Sequence, residues 1–523
     1  MGIPSYFSYI IKNHAKIVRR LSETGHIHHL FMDCNSIIYD LFHALVSKEV
    51  VDETQLIQQI IDKIKHYVKY IRPSKTLFVA FDGVAPLAKM DQQRTRRHKT
   101  LWMESNNNKK GEWSTCNITP GTSFMRTLSA QVHAALDDAQ FALDHGIQKV
   151  IVSGANECGE GEHKLFQHVR QNMHHSLSHP QDTVAVYGLD SDLIMLSLFH
   201  CDRFAHTYVF RETPEFVKSQ IPCSADKDPC HFLDIGHLCT AILKEMKKTQ
   251  IKHIYDYVFM CFFLGNDFLP HFPSLNLRTN GLPMLLHTYR KVCSQNSLIA
   301  DDKTIQWKQV QRFIQALAKQ EHELWMQEYE TRNKWSNRKW STATPQDCDY
   351  VLQNVPVIYR AEELYIAPDQ PGWQKRYYRS LLHGASPETV SNTYLEGLAW
   401  VFQYYTRDCK NWRWRYPYHY PPLLQDLAIH VPNIYSKQSW KESLPPFSAQ
   451  VQLAYVIPQD LHNQLLDPKM VQHLASSSSS VLQSSFQRPN RAFQWAFCRY
   501  FWESHIQLPE ISTHTLEKEW STD

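Results

Sequence analysis

Seven acidic residues fall where a chain alternating strand and helix would aim them together. Asp33 ends one apolar run (HHLFMD), Asp82 follows a second (TLFVAF), and Asp190 and Asp192 follow a third, Thr183 to Tyr187. In a parallel α/β sheet, sites form outside the carboxyl ends of the strands, so three such runs converge on one crevice. Glu160 and Glu162 stand in GEGEHK at the start of a helical pattern. Acids two apart do not share a helix face. They converge where the chain turns, and Gly159 and Gly161 permit that turn. Asp267 lies in FFLGNDFLP, where Gly265 and Pro270 mark the end of an apolar helix. A single acid in such a place is often a helix N-cap, but the whole set in this order points to metal. Crowded carboxylates repel unless cations neutralise them, and hard oxygen ligands suit Mg²⁺ or Mn²⁺. Two such ions about 3.5–4 Å apart activate a water and stabilise the leaving oxygen of a phosphodiester.

Directly after Asp82 comes a basic stretch, PLAKMDQQRTRRHK, over residues 86 to 99. On a helix, Lys89, Gln93 and Arg96/Arg97 fall at i, i+4 and i+7/i+8, which is one face. That face can hold a terminal phosphate through the forked hydrogen bonds of arginine, beside the metal site. The plain alternative is a solvated basic face.

The elements that must position these groups are legible as strands at 28–33, 76–81, 149–153 and 183–187, with a helix from about Ser36. Strands alternating with helices predict an α/β fold around a mostly parallel sheet flanked by helices. The character changes near residue 300. Residues 305–340 are polar and helix-forming, residues 390–425 are rich in aromatics, and Ser476 to Ser480 read as an exposed loop. We therefore expect a nuclease-type domain over 1–300 and a second, mixed helical and aromatic-rich region over 301–523. The second region should pack on the first, because its aromatics need burial.

The 523 residues are 43% hydrophobic and 12% aromatic, enough for a sizeable core, and the net charge is only +3. Any nucleic-acid footprint must therefore be local. No apolar run approaches the ~18 residues of a membrane span, and the longest candidate, Tyr257 to Leu264, reads as a buried helix. The N-terminus has no apolar signal core. The twelve cysteines, none in a CxxC pair, then read as reduced thiols inside the cell. The cytoplasm is the default compartment, with the nucleus left open. Cys223, Cys230, His231, His237 and Cys239 form a loose group whose spacing fits none of the usual zinc pairs.

With these motifs in hand, the chain resembles the Xrn family of 5′-to-3′ exoribonucleases. The likeness begins at MGIPSYFSYI and runs through FMDCNSIIYD, FDGVAPLAKMDQQRTRRHK, ITPGTSFM, GEGEHKLFQHVR, YGLDSDLIML and FFLGNDFLPHFPSL. It resumes at EGLAWVFQYYTRDCKNWRWRYPYHYPP and PFSAQVQLAYVIP and ends near HIQLPEI, spanning nearly the whole chain in family order. The resemblance implies a PIN-like, flap-endonuclease-like nuclease fold whose active-site channel is completed by the second conserved region. It implies that Asp33, Asp82, Glu160, Glu162, Asp190, Asp192 and Asp267 hold two Mg²⁺ or Mn²⁺ ions. It implies that Lys89, Gln93, Arg96 and Arg97 form a 5′-monophosphate pocket too small for a cap or a triphosphate. The expected activity is processive 5′-to-3′ hydrolysis of single-stranded RNA to mononucleotides in RNA and mRNA decay. Decapping or endonuclease factors would act upstream, and the enzyme would work as a monomer with no membrane partner.

Two departures stand out. Where the family usually has a base-stacking histidine, six residues after its first metal-binding aspartate, this chain has Tyr39, which can still stack. A channel tryptophan of the second region falls on Trp412 or Trp414, while Trp400, Tyr404 and Tyr405 read as core. The chain stops soon after the second region, as expected of a core-only member lacking the long C-terminal extension. Two rival readings are a flap-type DNA nuclease, for which no glycine-rich hairpin follows the acids, and a catalytically inactive RNA-binding protein, against which the intact acids argue.

Overall fold

The structure is a computed structural model that describes residues 2–46, 52–106, 113–173, 181–188, 190–212, 230–432, 444–476 and 492–520. Most of the predicted serine loop lies outside these residues. The expected α/β architecture is present as a seven-stranded sheet. In chain order the strands are β1 (Val18–Arg19), β2 (His29–Asp33), β3 (Thr76–Ala80), β4 (Lys149–Ser153), β5 (Thr183–Tyr187), β6 (His206–Glu212) and β7 (Cys230–Asp234). Across the sheet the order is β1-β7-β6-β5-β2-β3-β4. The strands from β4 to β6 pair in parallel. The edge formed by β7 and β1 is antiparallel and has no counterpart in the sequence reading.

Every residue of β2, β3 and β5 is buried, as parallel strands covered on both faces require. Alternation sends Phe31, Phe78 and Val186 into one apolar layer and Leu30, Met32, Val79 and Tyr187 into the other. Register matters for function. Asp33 pairs with Ala80 and Met32 with Tyr187, so the strands end level and the acids beyond them meet.

The layer holding Phe31 continues without a break into the second region, through Phe259 and Phe402 to Leu424. Residues Tyr257 to Leu264 are buried as predicted, within the helix His253–Cys261 and the single turn Phe262–Leu264. Helices Trp307–Ala318 and Glu321–Ser336 fill the stretch read as polar and helical. The aromatic stretch forms the long helix Pro387–Thr406. Its Trp400 ring lies 5.0 Å from Trp414, nearly parallel to it. Among the described residues, no helix is long and apolar enough to cross a membrane.

The loose cysteine–histidine group does not assemble. Cys223 lies outside the described residues. Cys230 and His231 are neighbours on β7, so the strand sends them to opposite faces. His237 bonds Asp234 at 2.6 Å, and Cys239 meets Cys201 at 3.2 Å. None of these is in a described cluster tight enough for an ion.

Candidate metal centre and phosphate pocket

The seven acids converge. Asp33, Asp82 and Glu162 bring ligand atoms within 4.8 Å of one another, and so do Glu160, Glu162 and His163. Asp190 and Asp267 act electrostatically on others of the set, and Asp192 feels both. Glu160 and Asp190 stand at the N-cap positions of the helices Gly161–Asn172 and Ser191–Phe199, yet neither side chain caps its helix. The N-cap alternative therefore fails for both.

Local backbone explains the convergence. Gly159 has φ +105°, a left-handed conformation that costs other residues energy, and it turns the chain so that Glu160 and Glu162 aim inward. Gly161 serves differently from the expected turn. It has no positive φ, but a Cβ there would lie 2.5 Å from an Asp33 oxygen. Its backbone N–H also donates to Asp82 Oδ1 at 2.7 Å. Asn35 Oδ1 accepts from the Asp82 N–H at 3.0 Å, tying the β2 and β3 ends together.

The electrostatics suit cations. Burial, then Asp82 and Asp190, drives the Asp33 carboxyl well above its ordinary range. Burial, then Glu160 and Asp33, does the same to Glu162. Asp192 is pushed up to about 7 by burial and then by Asp267. Such shifts mark carboxylates short of positive charge, and an all-oxygen donor set fits Mg²⁺ or Mn²⁺. His163 is the poorer donor. Hard cations prefer oxygen to imidazole nitrogen, and its ring is stacked on Tyr404 at 3.6 Å.

The basic helix, Leu87–Asn106, begins against this crevice. Lys89 Nζ bonds Asp267 at 2.6 Å and also pairs with Glu160. Burial opposes its charge, yet Asp267 and Glu160 hold the ammonium well above the ordinary range. Lys89 thus bridges acids as well as bordering the pocket. Gln93 is buried, and its oxygen accepts from Gln452 at 3.3 Å. Arg96 and Arg97 both donate to the Tyr39 hydroxyl at 3.2 Å. Arg97 is 3% exposed, and among the described residues its Nε has no hydrogen-bond partner. An orphaned guanidinium N–H in a closed site is costly and fits an anion. Tyr39, expected to stack on a base, here carries the Arg96 guanidinium over its ring at 5.6 Å.

The two tryptophan candidates separate. Trp414 is 6% exposed, and its ring fills the space beside Gly397. One face of its ring is against Trp400. Trp412 is half-buried, and its carbonyl accepts from Leu87 N at the start of the basic helix, 2.9 Å away.

Tyr404 and Tyr405, read from sequence as core, are buried but do more. Tyr404 donates to Glu160 Oε1 at 3.0 Å and Tyr405 to Asp192 Oδ1 at 2.9 Å. The available signal was chemical, since a buried tyrosine hydroxyl needs a partner and two adjacent ones on an aromatic helix need two. Gly2 was also missed. A Cβ on it would lie 2.3 Å from Asp192 Oδ1, so the N-terminal segment lies against the crevice.

Comparison with known proteins gives the chain a family. The model described as XRN 5'-3' exonuclease N-terminus matches residues 1–213, and that described as Xrn1 helical domain matches residues 248–362 and 366–522. The 5'-3' exoribonuclease 2 of Arabidopsis thaliana is 25% identical, over 99% of this chain and 66% of its own length. The 5'-3' exoribonuclease 1 of Homo sapiens is 26% identical, over 99% of this chain and 34% of its own. This chain therefore spans about two thirds of the first relative and a third of the second. Among solved structures, the catalytic core of Rad2 in complex with DNA substrate aligns at TM-score 0.31 and 14% identity, over 54% of this chain and 68% of that one. The family models cover the strands that carry the acids and the helices that close over them, and the chain belongs to the XRN 5'-3' exonuclease family.

Proposed function

We propose that the protein is a 5′-to-3′ exoribonuclease that removes nucleotides one at a time from single-stranded RNA bearing a 5′-monophosphate. The observation that carries this reading is the contact between two charge clusters. A seven-carboxylate crevice meets an arginine pocket, with Lys89 bonded to the acids and Arg97 Nε lacking a partner among the described residues. Asp33, Asp82, Glu160, Glu162, Asp190, Asp192 and Asp267 would hold two divalent cations, which when bound supply activation of a water and stabilisation of the leaving oxygen.

The chain's own groups do the rest. Arg96 and Arg97, oriented by Tyr39, take the terminal phosphate. Lys89 keeps that phosphate and the acids in register, so the first internucleotide bond lies over the crevice. Tyr404 and Tyr405 hold Glu160 and Asp192 in place without adding positive charge. Each turnover leaves a new 5′-phosphate at the end of the shortened strand, so the pocket can be refilled without release of the RNA.

Asp190→Ala should abolish cleavage while RNA binding, measured by fluorescence anisotropy, stays within a few-fold of the parent. A variant that keeps substantial activity would remove the carboxylates from the mechanism. Preference for flap DNA over single-stranded RNA would replace the reading with a structure-specific DNA nuclease.

A further inference from the structure

A cavity of about 700 Å³ touches the crevice at Gly2, Arg96 and Asp267 and reaches Arg278 and Trp502. From there a row of rings and guanidinium groups continues. The Arg278 guanidinium lies 5.9 Å from the Trp502 ring and 5.4 Å from that of Tyr500. The Trp502 and Tyr500 rings are 17° from parallel. The Arg499 guanidinium lies 4.4 Å from Tyr500 and 4.7 Å from Trp335. Trp502 is 39% exposed. The hydrolytic site uses none of these five residues.

We infer that this row is a binding path for the single-stranded RNA downstream of the scissile bond; the inference rests on the RNA-cleaving reading above. Three features favour a nucleic-acid strand as the occupant. Flat rings interleaved with guanidinium groups are the chemistry that stacks bases without reading sequence. The row is continuous with a cavity that includes Arg96 and Asp267, so one strand can run from pocket to row. The guanidinium groups are held ready, Arg278 by Glu503 at 2.6 Å and Arg499 by the Asn354 side chain at 2.6 Å. Because Glu503 offsets the Arg278 charge, the row should act by stacking more than by phosphate attraction.

The test is binding in EDTA, where nothing is cleaved. The probes are a 5′-phosphorylated RNA of about 30 nucleotides and a 5′-phosphorylated trinucleotide. At the strength of one base–aromatic stack, Trp502→Ala or Tyr500→Ala should weaken the long RNA about ten-fold. The trinucleotide affinity should not change, nor should the salt dependence, and Trp502→Phe should restore binding. The row is refuted if long-RNA affinity is unchanged, or if both probes weaken equally, which would be a general structural effect. It is also refuted if the variants instead lose the ability of nucleoside monophosphate to compete with the RNA for binding, which would assign the cavity to the released product. Failure of the parent protein to bind either RNA would instead overturn the functional reading itself.

Discussion

The strand ends and the Pro387–Thr406 helix meet in the same crevice and contribute opposite things. The sheet side supplies charge, with Asp33 and Asp82 at the ends of adjacent parallel strands and Asp190 just past a third. The helix side supplies neutral donors, the hydroxyls of Tyr404 and Tyr405 on Glu160 and Asp192. A lysine in either place would orient the carboxylate and also neutralise it, as Lys89 does to Asp267, whose carboxyl it draws down against the effect of burial. A tyrosine fixes the oxygen and leaves its charge for a cation, as at Asp192, whereas Glu160 has both Tyr404 and Lys89 on it. The difference indicates how one site can be both crowded with acids and ordered.

The largest effect that sharpens this contrast should come from Gly161→Ala. Its methyl would press on Asp33, and displacing a reacting group by about 1 Å can cost about 10²-fold. We expect that loss in kcat/KM, with the melting temperature nearly unchanged. A variant of normal activity would show that the Asp33 position is not critical. Tyr404→Phe and Tyr405→Phe come next. Loss of an outer hydrogen bond to a ligand typically costs about 10–100-fold in metal affinity. Titration of the apoprotein with Mn²⁺, followed by electron paramagnetic resonance, should show that weakening. Unchanged Mn²⁺ affinity would reduce both tyrosines to packing.

On the other side of the crevice, Arg96→Ala should raise KM for 5′-monophosphorylated RNA by about ten-fold, at the low end for a hydrogen bond to a charged group. KM for 5′-hydroxyl RNA should not move. Equal effects on both would remove Arg96 from the pocket. The smallest effect on chemistry is expected of Trp414→Ala. It should cost ~3–5 kcal/mol of stability, as large aromatic truncations in cores do, seen as a lower melting temperature, with little change in kcat per folded molecule.

Much of the acid side was legible because its elements are local. A fully buried parallel strand reads as an unbroken apolar run, and Asp33 and Asp82 stand where those runs stop. The strands at Lys149–Ser153 and Thr183–Tyr187 fall where the β-branched residues indicate. What escaped was long-range or depended on pairing. β1 is two residues long, too short for any periodicity. Tyr404 and Glu160 are 244 residues apart, and no local pattern announces that a core tyrosine has a carboxylate of the acidic crevice as its acceptor. Lys89 was legible as part of a basic face, but its pairing with Glu160 and Asp267 depends on how the Leu87–Asn106 helix docks. Trp412 and Trp414 have the same residue type two positions apart. Only the packing of Trp414 on Trp400 and Gly397 distinguishes them.

The most direct measurement is degradation of one single-stranded RNA carrying a 5′-monophosphate, a 5′-triphosphate or a 5′-hydroxyl, with Mg²⁺ and with EDTA, and with the products identified. Mononucleotides from the monophosphate RNA alone, and only with the metal, are the predicted result. Equal cleavage of all three, or internal fragments, would contradict a phosphate pocket at Arg96 and Arg97 and the end-directed activity built on it.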